Sequence, residues 1–273
     1  MTKLLNGAEL VGYIQERQAR QVRALRQASR VFPRLVIIKS MASSSVIDTY
    51  VRMKQRYGEE ILVETVVETL NEVDMPSTIK RLNADPLVHG IIVQLPLADP
   101  AMTDVIVDAI APEKDVDGLG QAANYDSATA TAINWLLSGY GIDLRDKAIA
   151  IVGQGRLVGA PLAKMWQASG YNVTIADINT EDVGAVLRQS DVVVTATGVP
   201  GLIKSDMIQI GATVVDAGTA SEDGVIVGDV EPSLRERDDV TITPAKGGVG
   251  PLTIAALCDN VIQAATRIAE AKK

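Results

Sequence analysis

The chain has 273 residues, 47% apolar, 22% charged and only 3% aromatic, and its formal net charge is -8. That length supports one large or two modest domains with a real core, and an acidic balance without a Lys/Arg block argues against a nucleic-acid partner. No apolar stretch approaches a membrane span and residues 1–6 carry no apolar leader, so no membrane partner is expected and the simplest location is the cytoplasm.

The single cysteine, Cys258, cannot form a disulfide within the chain and reads as a lone buried thiol. The single histidine, His89, argues against a His-rich metal site, so no metal is expected, and against a Ser-His-Asp triad. With so few aromatics, the cores must be filled by Val, Ile, Leu and Ala, a bias that suits parallel strands covered by helices.

Val11, Ile14, Val22 and Leu25 recur at helical spacing and predict an amphipathic helix over 8–29. Residues 35–38 then read as a buried strand, 46–56 as a helix, 61–67 as a strand and 77–83 as a helix. Residues 88–93 form another apolar run, ending at Gln94-Leu-Pro-Leu97, and 103–111 predict a helix ended by Pro112. This alternation predicts an α/β domain with a mostly parallel sheet. Residues 113–125 are rich in Asp, Gly and Asn and lack periodicity, which places a domain junction there and divides the chain at 1–122 and 123–253. A helix begins over 131–137. Strands at 148–152, 172–176, 191–196 and 212–216, with a helix through Trp166, make the second domain a Rossmann-type unit. Residues 251–269 are helical in pattern, and the segment 254–273 is expected to pack back on the first domain and complete it.

The segment Gly153-Gln-Gly155-Arg-Leu-Val-Gly159 has the form GxGxxxG and lies between a strong strand and a strong helix. Gly153 would permit the tight turn, Gly155 would let the backbone approach a pyrophosphate, and Gly159 would let the helix sit close to the strand. The helix N-terminus offers free N–H groups and a positive dipole end to phosphates. A plain strand-to-helix turn also uses glycines, so the motif depends on this context. Asp177 ends the second strand of the unit, about 20 residues beyond the glycines, where an acid hydrogen-bonds the ribose hydroxyls of NAD and repels the 2′-phosphate of NADP. The other reading of Asp177 is a cap for a helix starting near Thr180.

Four stretches, in order, resemble segments of the bifunctional methylenetetrahydrofolate dehydrogenase/methenyltetrahydrofolate cyclohydrolase family. They are Val93-Gln-Leu-Pro-Leu97, Pro112-Glu-Lys-Asp-Val-Asp-Gly118, Gly153 to Pro161, and Gly247-Gly-Val-Gly-Pro-Leu-Thr253. The resemblance runs from about residue 46 to the C-terminus. It implies two α/β domains with the folate in the cleft between them, NAD or NADP as cofactor, and a homodimer. Tyr50-Val-Arg-Met-Lys54 is similar to the family's Tyr-x-x-x-Lys, and a spacing of four puts both side chains on one helix face. By themselves, a Tyr and a Lys one turn apart would be an ordinary solvated face. The resemblance makes Lys54 the central catalytic residue, Tyr50 a wall near the folate, Gln94 the amide beside the lysine and Asp117 the holder of the pterin ring. It also implies substrate contacts from Leu95, Pro96, Gly250, Pro251 and Thr253, and cofactor contacts from Gly153, Gln154, Gly155, Arg156, Val158, Gly159, Asp177, Thr197 and Gly198.

The implied activity is oxidation of 5,10-methylenetetrahydrofolate to 5,10-methenyltetrahydrofolate, followed by hydrolysis to 10-formyltetrahydrofolate, in one-carbon metabolism feeding purine biosynthesis. A monofunctional dehydrogenase and a catalytically dead folate- or nucleotide-binding homologue are the alternatives. Lys54, Gln94 and Asp117 together argue against the dead homologue. The chain departs from the family pattern where Gln154 and Gly155 replace an Arg and a Ser near the cofactor phosphates. With Asp177 this favours NAD, although Arg156 is near enough in sequence to meet a 2′-phosphate. Ser127 to Ala132 lacks the family's prolines and glycine, the turn Lys39 to Ser45 differs from the family's, and Lys246 stands for a proline.

Overall fold

The computed structural model describes residues 3–222 and 225–272. In chain order the elements are β1 (Lys3–Leu4), α1 (Gly7–Ala28), β2 (Arg34–Ser40), α2 (Ser45–Glu60), β3 (Glu64–Leu70), α3 (Met75–Ala84), β4 (Gly90–Val93) and α4 (Thr103–Asp108). After a long loop come α5 (Ala128–Gly139), β5 (Ile149–Val152), α6 (Gly159–Ala168), β6 (Val173–Ala176), α7 (Val183–Leu187), β7 (Val192–Thr195) and β8 (Thr213–Asp216). The chain closes with β9 (Ala220–Glu222), β10 (Val225–Val227), β11 (Thr241–Ile242) and α8 (Val249–Ala271). It divides into two units, one of Gly12–Ala128 with Ile254–Lys273, the other of Met1–Val11 with Thr129–Thr253. The α/β class expected from the alternating pattern is the one observed.

In the first unit, β2 lies between β3 and β4 in a parallel three-stranded sheet, with Ile37 opposite both Val67 and Ile92. Leu35, Val36, Ile37 and Ile38 are all buried, as a continuous apolar run in a covered parallel strand requires. Val36, Ile38, Ile79, Leu82, Ile91 and Ile106 share one core. Strand β3 starts three residues later than the 61–67 run suggests, because α2 continues to Glu60. Ile61 and Val63 are buried from the turn that follows, where the Val63 N–H bonds the Gly58 carbonyl at 2.8 Å. Buried apolar residues in a tight turn carry the same composition as a strand. Lys114 is buried because its ammonium caps the end of α3, donating to the carbonyls of Leu82, Asn83 and Asp85 at 2.6–2.9 Å.

The second unit is built on a six-stranded sheet in the order β1-β11-β8-β7-β5-β6, with every pairing parallel. Strand β5 leads through α6 to β6 on one side, and the chain then crosses to β7 on the other. The strand order therefore reverses between β5 and β7, the point where open α/β sheets leave a crevice at their carboxyl ends. Strand β1 extends this sheet by pairing Lys3 with Thr241 and Leu4 with Ile242. Residues 3–11 thus group with the second unit, although the sequence pattern placed 1–122 together; a two-residue strand carries no readable period. Strands β9 and β10 form an antiparallel pair.

Candidate active site

Helix α2 begins at Ser44, whose hydroxyl accepts the Ile47 N–H, and buries Ile47, Val51, Lys54, Tyr57 and Gly58. Those positions recur at helical spacing, so Lys54 stands within the apolar stripe and not on a solvated face. Only 9% of it is exposed. Its ammonium donates to Gln94 Oε1 at 2.7 Å, and Gln94 Nε2 donates to the Leu95 carbonyl at 3.2 Å, which fixes the amide with its oxygen toward the lysine. Burial lowers the Lys54 pKa below the ordinary lysine value, and the charge of Asp117 opposes that shift. Burial likewise raises the Asp117 carboxyl, with Lys54 opposing. Tyr50, one turn earlier on α2, is half-buried, and burial raises its phenol. The buried Cys258 thiol also feels Lys54, yet burial dominates and pushes it up to about 12, so it stays a protonated, unreactive thiol.

Asp117 is held by its neighbours. Asp115 is buried and its two oxygens accept the N–H groups of Gly118 at 3.1 Å and Gly120 at 2.7 Å. Its own carboxyl is raised to about 6, first by burial, against those hydrogen bonds. The Asn260 amide, from α8, donates to the carbonyls of Val116 at 2.9 Å and Asp126 at 3.2 Å and so closes the loop on either side of Asp117. Gly118 has φ +69, and a Cβ there would stand 2.7 Å from the Asp126 carbonyl, so the loop needs glycine at this point. Within the first unit the structure thus brings together Lys54, Gln94 and Asp117, with Leu95 and Pro96 next to Gln94 and Tyr50 on the same helix. Gly250, Pro251 and Thr253 fall in the first two turns of α8, in the second unit.

In the second unit the glycine turn follows β5 directly. Gly153 has φ +93, and a Cβ there would stand 2.7 Å from the Ala196 carbonyl oxygen; a Cβ at Gly159 would overlap the Gly153 carbonyl. At Gly155 the nearest atom to such a Cβ is 3.9 Å away, so the backbone is open there. These three environments fit a dinucleotide pyrophosphate: a tight turn, an approachable backbone, and a helix pressed on its strand. Val158 provides no side-chain cap at the N-terminus of α6. Gln154 is exposed, and Arg156 lies in the same turn. Thr197 and Gly198 follow β7 on the other side of the strand-order reversal, with Gly198 at φ +70. Asp177 directly follows β6, and its carboxylate accepts the Asn179 N–H at 2.9 Å. The helix after it starts at Val183 and is capped by Asp182, not by Asp177.

Sequence reasoning passed over Asp115, Asn260, Asp216 and Asp229. Asp115 stands in the quoted Pro112–Gly118 stretch, two residues from Asp117, but nothing local distinguishes its inward role. Asn260 acts on a loop some 140 positions earlier, a relation no spacing rule reveals. His89, just before β4, is buried with Nδ1 accepting the Arg34 N–H at 3.3 Å, and burial lowers its pKa to about 4. Among the described residues no helix is long and apolar enough to cross a membrane.

Comparison with known proteins agrees with both halves. Residues 5–117 match the tetrahydrofolate dehydrogenase/cyclohydrolase catalytic domain, and residues 127–269 match the NAD(P)-binding domain of the same family. Bifunctional protein FolD of Sulfurovum sp. (strain NBC37-1) is 35% identical, over 96% of this chain and 98% of its own length. The crystal structure of the bifunctional FolD methylenetetrahydrofolate dehydrogenase/cyclohydrolase from Campylobacter jejuni superposes with a TM-score of 0.91 at 34% identity, covering 98% of this chain and 99% of that one. The Trypanosoma brucei methylenetetrahydrofolate dehydrogenase-cyclohydrolase, solved with NADP and an inhibitor, gives a TM-score of 0.89 at 28% identity, covering 97% of this chain and 98% of that one. With a buried Lys54 bonded to Gln94 in one unit, a glycine turn at the strand-order reversal of the other, and matches along nearly the whole length, the chain belongs to the tetrahydrofolate dehydrogenase/cyclohydrolase family.

Proposed function

We propose that this protein oxidises 5,10-methylenetetrahydrofolate to the methenyl form with a nicotinamide dinucleotide and hydrolyses the methenyl product to 10-formyltetrahydrofolate. The observation that carries the reading is Lys54, a lysine on the buried stripe of α2, bonded to Gln94 at 2.7 Å and electrostatically coupled to Asp117. A buried lysine is costly unless its partners and its chemistry require it. When bound, the nicotinamide supplies the hydride acceptor. Hydride loss leaves a cation spread over two folate nitrogens, a step that depends on positioning more than on a strong acid or base. Asp117 would hold the pterin through its amino group and ring N–H, and Tyr50 would wall the ring. Hydrolysis needs a group that takes a proton from water near neutral pH. Lys54, its basicity reduced by burial and its ammonium oriented by Gln94, suits that role.

The cofactor is proposed to be NAD. Asp177 places a carboxylate at the end of β6, and Gln154 and Gly155 leave that turn without a second positive group beside Arg156. Supplied with methylenetetrahydrofolate and either dinucleotide at equal concentration, the purified protein is expected to turn over faster with NAD. Asp177→Ser, which removes a charge repulsion, should move the NAD:NADP ratio of kcat/KM toward NADP by about tenfold, or about 1.4 kcal/mol. A parent enzyme that prefers NADP would sink the cofactor assignment, and no dinucleotide reduction with either would sink the dehydrogenase reading.

A further inference from the structure

Asp229, just past β10, is fully buried, and its carboxylate is spent on one turn. Oδ2 accepts the Thr195 hydroxyl at 2.6 Å and the Thr197 N–H at 2.6 Å. Oδ1 has no hydrogen-bond partner among the described residues, and a Cβ at Gly218 would overlap the carboxylate. The backbone of Asp229 is fixed as well: its N–H donates to Asp216 Oδ1 at 3.0 Å and its carbonyl accepts the Ile203 N–H at 3.0 Å. Asp216 is in turn anchored by Arg235 at 2.5 Å and by the N–H groups of Gly218 and Val230. A carboxylate drawn wholly out of water is costly for stability alone. What Oδ2 achieves is local. It grips both ends of the Thr195–Thr197 turn, whose middle peptide, at Ala196, sets the close approach to Gly153.

We propose that Asp229 is a positioning residue for the dinucleotide: it fixes the turn after β7 so that the peptides of Ala196 to Gly198 face the crevice at the strand-order reversal in one conformation. The inference rests on reading Gly153 to Gly159 as the dinucleotide site. An ordered turn spares the ligand the entropy of ordering it on binding, so the role is read in affinity. Asp229 itself need touch neither dinucleotide nor folate.

Titration calorimetry on the intact protein, with whichever of NAD and NADP the parent binds more tightly, tests this. Asp229→Ala should raise the dinucleotide Kd at least tenfold. Thr195→Val, which removes one of the two donors and nothing from the backbone, should raise it about threefold. Asp229→Asn keeps one oxygen for both donors and should stay within threefold of the parent. The Kd for a folate analogue should hold in all three, a separation that a general loss of fold would not produce. If Asp229→Ala does not fold, Thr195→Val decides. Parent-like dinucleotide affinity in Asp229→Ala and Thr195→Val would overturn the proposal, as would an Asp229→Asn protein as weak as Asp229→Ala. A parent that binds neither dinucleotide would instead overturn the site on which the proposal rests.

Discussion

Replacing Lys54 with Met is expected to lower methenyltetrahydrofolate hydrolysis by about a hundredfold or more, the usual scale for an acid–base group, while hydride transfer falls much less. Methionine matches the apolar stripe on which Lys54 lies, beside Ile47, Val51 and Tyr57, so the substitution removes the ammonium without forcing a polar group into the core. Hydride transfer depends on how the folate is held, and Gln94, Tyr50 and Asp117 remain. The pH profile separates this role from a structural one. Because burial lowers the Lys54 pKa, the neutral amine that can take a proton from water becomes abundant at a lower pH than for an ordinary lysine. The parent's hydrolysis rate, after subtraction of the uncatalysed reaction, should rise with pH and level off below the ordinary lysine range. In Lys54→Met and Lys54→Gln that ionisation should vanish. Equal hydrolysis by mutant and parent would show that the lysine takes no part.

Asp117→Asn is expected to weaken folate binding by roughly ten- to a hundredfold. A pterin presents an amino group and a ring N–H side by side, and a carboxylate accepts both in a paired hydrogen bond. The amide keeps the shape but turns one acceptor into a donor, leaving a ring N–H facing an N–H₂. Such a mismatch costs about 1–3 kcal/mol. The change also takes away the charge that raises the Lys54 pKa, so any surviving hydrolysis should reach its plateau at still lower pH. Dinucleotide affinity should be unchanged, because the glycine turn is built from β5, α6 and the turn after β7, without Asp117. Titrating a folate analogue and NAD separately against the mutant checks both halves. Unchanged folate affinity would reduce Asp117 to a turn residue held by Asp115 and Asn260.

The parts of this fold legible in the sequence are those whose signal is local. Apolar runs at 35–38, 88–93, 148–152 and 191–196 mark β2, β4, β5 and β7 because parallel strands covered on both faces need every side chain apolar. The glycine turn was legible for a similar reason: the strand before it and the helix after it are both strong. Boundaries failed where composition misleads, as at Ile61 and Val63, apolar in a turn. Strands β1 and β11 escaped notice because two residues have no period. Lys54 is the instructive case. Spacing alone makes Tyr50 and Lys54 a surface pair, and only the tertiary packing of α2 shows that the face is the buried one. Asn260 and Asp229 were illegible because their partners lie far away in the sequence and are brought near only by folding, whereas Asp115 bonds N–H groups of its own loop and looks like any turn Asp.

The most direct test of the central claim is a mass balance on one incubation of the purified protein with 5,10-methylenetetrahydrofolate and NAD, quenched over time and analysed for reduced dinucleotide, methenyl- and 10-formyltetrahydrofolate. A bifunctional enzyme predicts one 10-formyltetrahydrofolate for each NADH, formed faster than the methenyl compound hydrolyses unaided, with little methenyl compound accumulating. Methenyltetrahydrofolate accumulating in step with NADH, and decaying only at the uncatalysed rate, would contradict the account.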